Sequence, residues 1–244
     1  MEAVAVEHLV KVFKDIKALN GISFHVEEGE IFGLIGPNGA GKTTTLRIIA
    51  TVLLPTSGRV EVFGHDIVKE AEEVRRLISY LPEDAGAYKN LTGREYIEFI
   101  ANLYTSDKGI VKEMVDLAEE ICGLGDRLSD KIKTYSKGMK RRLLLAKTFM
   151  VKPRLAIVDE PTSGLDVIHA VYVRRLIKEF ARKHRITILL SSHNMLEVEY
   201  LCDRVALINK GSIIEEGKPE ELKEKYSATN LEEVFIKAVR GSVI

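Results

Sequence analysis

The stretch GPNGAGKTT, residues 36–44, holds the densest chemistry in this 244-residue chain. Gly36, four intervening residues and then Gly41, Lys42 and Thr43 follow an apolar strand-like run and open a helix-like one. That order builds a phosphate loop. Across Gly36, Pro37, Asn38, Gly39, Ala40 and Gly41, the glycines let backbone N–H groups turn inward around phosphate oxygens. Lys42 adds a cation near the β- and γ-phosphates, and the Thr43 hydroxyl, followed by Thr44, can ligate magnesium. No Gly-x-Gly-x-x-Gly spacing is present, so a dinucleotide fingerprint does not compete.

Three further stretches carry chemistry. LAIVDEP, residues 155–161, ends an apolar run in two carboxylates. Asp159 at such a strand end can hold magnesium through water, and Glu160 can take a proton from an attacking water; the competing reading is a solvated acidic pair at a strand–loop junction. His193 ends a second apolar run, ITILLSSH. A lone histidine is more often structural, but strand ends are where α/β sheets place ligands. The other histidines, His8, His25, His65, His169 and His184, read as ordinary surface or turn residues. Finally, TYSKGMKRRLLLA, residues 134–146, sets a hydroxyl and a glycine before a strongly basic helical run. The N–H groups and dipole of a helix N-terminus favour anions, so this is a second anion site.

These residues need an α/β frame. Residues 3–10 alternate as a strand, ALNGISFHVEEGEIFGLIG reads as two strands joined by a Glu-Gly turn, and TTTLRIIATVL reads as a helix broken by PTSG. RVEVFG, a helical EAEEVRRLI and a buried ISYLP follow. Alternation of this kind argues for a partly parallel sheet. From residue 85 to about 150 only helix-periodic segments occur, which predicts a helical insertion. LAIVDEP, a helix at about 167–183, ITILLSSH and a hairpin, RVALINKGSIIEEG, then resume the core, and two amphipathic segments close the chain. The predicted organisation is 1–84 for the first part of the core, 85–150 for the helical subdomain, 151–218 for the second part and 219–244 for a C-terminal helical segment.

Composition narrows the class. Lys+Arg and Asp+Glu both total 36, giving zero net charge, where a dedicated nucleic-acid binder would show a basic excess. With 45% hydrophobic residues the chain can bury a sizeable core. Cys122 and Cys202 have no zinc-ligand spacing and read as buried thiols in a reducing compartment. No run approaches the ~20 apolar residues of a membrane span, and no signal segment is legible, so a soluble cytoplasmic protein is expected.

With those residues in view, the chain resembles the ATP-binding subunits of ABC transporters along essentially its whole length and in the family's motif order. GPNGAGKT falls at the phosphate loop, YLPED at the glutamine loop, YSKGM at the signature, LAIVDEP at the second Walker motif, SGLD at the D-loop and SSH at the switch histidine. Phe13 falls where the family stacks an aromatic on adenine. The NLEEVFIKAV tail and the wording around the phosphate loop look most like exporters of drugs, lipids or polysaccharides.

The resemblance implies a phosphate-loop NTPase core with a mostly parallel sheet, an N-terminal antiparallel β subdomain and an inserted helical one. It implies ATP and Mg2+ as cofactors, with Thr43, Glu83 and Asp159 toward the metal and Lys42, Glu160 and His193 in hydrolysis. Ser136, Lys137 and Gly138 would cap the ATP held by a second copy or a homologous subunit. The partner it implies beyond that is an integral-membrane permease, which would hold the chain on the inner face of the membrane; no nucleic acid is expected. Two departures stand out. Glu83 replaces the family's glutamine, and a carboxylate binds magnesium more strongly than an amide. Lys137 replaces a glycine and either brings charge beside the neighbour's γ-phosphate or points to solvent. Two other readings are a non-transport ABC ATPase of DNA repair, chromosomes or ribosomes, usually marked by a long coiled coil or fused halves, and a small-molecule kinase, which leaves YSKGM and SGLD unexplained.

Overall fold

The computed structural model describes residues 1–241, so the last three residues of the segment expected at 219–244 lie outside the described residues. The strands are β1 (Glu2–Phe13), β2 (Ile16–Glu27), β3 (Ile31–Ile35), β4 (Ser57–Val62), β5 (His65–Asp66), β6 (Ile78–Leu81), β7 (Leu155–Asp159), β8 (Thr187–Ser192), β9 (Arg204–Asn209) and β10 (Ser212–Gly217). The helices are α1 (Lys42–Ile49), α2 (Ala71–Leu77), α3 (Gly93–Tyr104), α4 (Lys108–Cys122), α5 (Lys137–Phe149), α6 (Val167–His184), α7 (Met195–Leu201), α8 (Pro219–Lys225) and α9 (Leu231–Gly241).

Two sheets form. The strands β2-β1-β4-β5 make an antiparallel sheet, and β10-β9-β3-β8-β7-β6 make a six-stranded one that is parallel except at the β9–β10 hairpin. Every residue of β3, β7 and β8 is buried, which is why these strands read as unbroken apolar runs. Successive side chains face opposite sides of the sheet. Ile35, Val158, Leu190 and Val205 therefore pack with Phe149, Ile177 and Val198 of α5, α6 and α7. Phe32, Leu34, Ile157, Leu189 and Ala206 pack instead with Leu46 and Ile49 of α1 and with Val4 and Leu9 of the antiparallel sheet.

Between β6 and β7 the described residues form helices joined by loops and turns, with one isolated bridge, Thr92 to Lys131, and no strand. Thr92 and Glu95 form a reciprocal capping box on α3, and Asp107 caps α4, which ends at the left-handed Gly123. Helix α1 is shorter than its periodicity suggests. It stops at Ile49 because Thr51 turns left-handed at φ 59°. Cys122 and Cys202 are free and buried, and burial pushes both thiols above their ordinary pKa. Among the described residues no helix is long and apolar enough to cross a membrane.

Candidate active site

Three neighbouring parallel strands, β3, β8 and β7, bring their carboxyl ends together. Ile35 lies opposite Ser192, and Asp159 opposite Ser191. The residues that follow each strand are therefore neighbours in space, although well over a hundred positions separate the first from the others. After β3 the chain turns through residues 36–41. At Gly36 a Cβ would sit 2.0 Å from the Ile208 carbonyl oxygen, so the loop can approach β9 only as glycine. Gly41 has φ 111°, which a side chain rarely adopts, and leads directly into α1.

Lys42 curls back over this loop. Its Nζ donates to the carbonyls of Gly36 (2.7 Å) and Pro37 (3.2 Å) and lies 3.4 Å from Glu160 Oε1. On the other side, Glu160 Oε2 meets His193 Nδ1 at 2.8 Å and accepts from the His193 N–H at 3.3 Å. Glu160 is a left-handed non-glycine, φ 48°, a conformation kept only where surroundings enforce it. Its N–H donates to both the carbonyl (3.1 Å) and the hydroxyl (3.2 Å) of Ser191.

Asp159 is fully buried. Its Oδ1 accepts from Thr43 Oγ1 at 3.2 Å and from the Ser191 hydroxyl, whereas Oδ2 is buried with no hydrogen-bond partner. A hydroxyl beside a carboxylate with an unsatisfied oxygen is a hard donor pair that fits Mg2+, which typically takes few protein ligands and fills its shell with water and phosphate. Among the described residues no group of three or more His, Cys, Asp or Glu that could hold a metal occurs. Glu83 is exposed on the loop after β6, where its Oε1 accepts from Ser163 Oγ at 3.0 Å.

The residues expected as a second anion site stand at the start of α5, where Lys137 lines one cavity with Glu83 and Glu160. Ser136 caps α5, its Oγ accepting from the Met139 N–H at 3.1 Å, and among the described residues no hydrogen bond joins residues 136–138 to residues 36–44. Lys137, although exposed, does not extend away from the protein. Its ammonium lies across Gly164, where a Cβ would be 1.9 Å from Nζ. His169, expected as an ordinary surface residue, packs its ring on Gly138, where a Cβ would meet Cδ2 at 2.3 Å, while Nδ1 contacts Asp166 at 2.7 Å. Phe13 stands at the β1–β2 turn, 43% exposed, with Lys11 Nζ 4.9 Å above its ring.

Two arginines of the basic run turn toward the protein. Arg141 is buried and donates to five backbone carbonyls, those of Pro82, Glu83, Asp159, Glu160 and Pro161. Burial pulls its guanidinium below the usual pKa, opposed by the carboxylates of Asp159, Glu83, Glu197 and Glu160. Arg142 donates to the carbonyls of Cys122 and Gly123 and stacks 4.2 Å over Tyr172. Glu197 is buried between the two strand-end loops. Its Oε2 accepts from Thr162 and Ser192, Oε1 has no partner, and burial raises its pKa.

Arg141 and Glu197 are thus site residues that motif reading passes over, whereas Ser163 and Ser191 open the SGLD and SSH motifs but had no contact assigned to them. For Arg141 a signal existed. Gly138, Arg141, Leu145 and Thr148 fall at helical spacing on the buried stripe of α5, so an arginine there points at the core. No local pattern marks Glu197.

Residues 19–163, more than half of the chain, match the family described as ABC transporter. The chain is 39% identical over 217 residues to the bacitracin transport ATP-binding protein BcrA of Bacillus licheniformis, covering 89% of this chain and 70% of that one. It is 36% identical over 230 residues to the ABC transporter ATP-binding protein NatA of Bacillus subtilis, covering 93% of each. Its structure resembles that of an ATP binding subunit of an ABC transporter with TM-score 0.85 and 28% identity, over 97% of this chain and 99% of that one.

Proposed function

The chain belongs to the ATP-binding subunits of ABC transporters, and on that premise we propose that it hydrolyses Mg-ATP with Glu160 as general base, closing against a second subunit to drive a membrane permease. One observation carries the reading: Glu160 sits within reach of both Lys42 and His193, at the ends of adjacent parallel strands. Phosphate oxygens would compete with Glu160 and the loop carbonyls for the Lys42 ammonium. A water in line with the γ-phosphorus then attacks. Its oxygen bonds to phosphorus as the bond to the β-phosphate oxygen breaks, and its proton passes to Glu160. His193 holds the Glu160 carboxylate from the far side and faces the charge that develops. Mg2+ would be held by Thr43 and Asp159, with Glu83 as a further oxygen donor, and would neutralise charge on the transferring phosphoryl group. Phe13 would stack on the adenine.

The partner of this subunit is a second copy or a homologue, and residues 136–138 cap the ATP held by that partner. Val167 and Ile168 support this, being apolar and highly exposed at the start of the helix whose His169 packs on Gly138. Beyond Glu83, the exposed rings of Tyr88 and Phe99, 5.6 Å apart, offer an apolar surface to a permease. The permease would hold the chain on the inner face of the membrane. The relative in bacitracin transport and the wording of the tail support an exporter.

Size-exclusion chromatography of Glu160→Gln tests the reading. With ATP the variant should elute as a dimer that retains nucleotide, and with ADP as a monomer. A monomer under both conditions would overturn the sandwich.

A further inference from the structure

We propose that Arg141 is a positioning residue that couples the helix carrying Ser136, Lys137 and Gly138 to the backbone on either side of Glu160. The inference rests on the function proposed above and adds to it a mechanical link within one chain.

The link starts where the sheet stops. Strands β6 and β7 pair as far as Leu81 and Val158. Just beyond, the carbonyls of Pro82 and Glu83 on one strand, and of Asp159, Glu160 and Pro161 on the other, leave that shared ladder. Buried carbonyls need donors. Arg141 supplies them from a different element, with Nε to Pro161 (2.8 Å), one terminal nitrogen to Pro82 and Glu83 (3.3 Å each), and the other to Asp159 (2.7 Å) and Glu160 (2.9 Å). A guanidinium has five N–H donors in a rigid plane, so this arrangement uses its full capacity.

The consequence falls on Glu160. Its left-handed backbone is held at the N–H by Ser191 of β8 and at the carbonyl by Arg141 of α5. One peptide group is therefore tied to the sheet and the other to the helix that begins at Ser136. Arg141 lies on the second turn of α5, so a shift of the first turn against a neighbouring subunit reaches the Glu160 backbone through one planar group. Misplacing a reacting group by about 1 Å can cost about a hundredfold in rate, so such a link matters to turnover far more than to nucleotide affinity. Lysine cannot replace it, because a single ammonium with three donors cannot span both strand ends.

Arg141→Lys and Arg141→Gln test the link by steady-state ATPase, fluorescent-ATP binding and thermal melting. In whichever variant folds, kcat should fall by about tenfold or more while ATP affinity stays within about threefold. A folded variant with the parent kcat, or one whose affinity falls as far as kcat, would overturn the positioning role. Guanidinium 15N spectra of the unaltered protein supply a readout independent of any variant. Slow rotation should give separate signals for the two terminal nitrogens of Arg141, and one averaged signal would count against the link. Glu160→Gln, assayed alongside, separates the two ideas. Parent-rate turnover there overturns the proposed base, whereas loss there beside an unimpaired Arg141→Lys overturns only the link.

Discussion

Lys42 and Glu160 form a buried ion pair, Nζ to Oε1 at 3.4 Å, with each side chain only 6% exposed. The pair joins the phosphate loop to the end of β7, and it places the proposed phosphate-binding cation beside the proposed base. Each charge is also hydrogen-bonded elsewhere, Lys42 to two loop carbonyls and Glu160 to His193. Such extra bonds are what allow a buried pair to offset the cost of leaving water.

Lys42→Ala removes that cation and leaves the Glu160 carboxylate without its partner. ATP affinity should fall on the order of a hundredfold, as loss of a charge-assisted contact to phosphate implies. The melting temperature should fall too, and the double variant Lys42→Ala/Glu160→Gln should regain part of it, because an amide carries no unpaired charge. Unchanged ATP affinity in the single variant would remove Lys42 from the site.

Glu83→Gln restores the family's usual residue and keeps an acceptor for the Ser163 hydroxyl. Turnover should remain within a few-fold of the parent. The Mg2+ concentration for half-maximal rate should rise, because an amide oxygen binds the ion more weakly than a carboxylate. Complete loss of activity would mean that the carboxylate has a different task.

Glu197 predicts a pH dependence. Burial raises its folded pKa above the ordinary 4.5, so the folded chain binds the proton more tightly than the unfolded chain does. Its contribution to stability is then fully present below the ordinary value and is lost as pH rises through the folded one. Glu197→Gln removes this titration while keeping an acceptor for Thr162 and Ser192. Measured as melting temperature from about pH 5 to about pH 8, the difference between variant and parent should move in the variant's favour. A constant difference would show that Glu197 does not titrate in this window.

The trans arrangement has a complementation test. One chain carries Lys42→Ala and another Ser136→Arg, each inactive alone. If the signature of one chain completes the phosphate loop of the other, a mixed dimer has one site with both lesions and one with neither. Doubly tagged dimers should then hydrolyse ATP or hold one ATP tightly. If signature and loop serve the same chain, every site has a lesion. Confirmed mixed dimers with neither activity nor trapped nucleotide would count against the trans model.

Much of this site can be read in the sequence because its parts are local patterns. Glycine spacing, an apolar run ending in Asp159 and Glu160, and another ending in His193 each specify a backbone turn at a strand end, and parallel strands aligned side by side then bring those ends together. Helix starts are legible for the same reason, since Ser136 and Thr92 cap their helices through groups only a few residues away. What the tertiary structure decided is long-range. The bond from Ser163 to Glu83 spans 80 residues, and that from Ser191 to Asp159 spans 32. Arg141, in a run that reads as a basic helix start, is buried because β6 and β7 stop pairing just before five carbonyls that need donors. Periodicity shows which face of a helix is buried, but only the assembled sheet determines which polar groups are left there to be satisfied. Lys137 shows the same limit. The family resemblance implies a cation facing either phosphate or water, whereas the close approach of the D-loop lays its ammonium across Gly164.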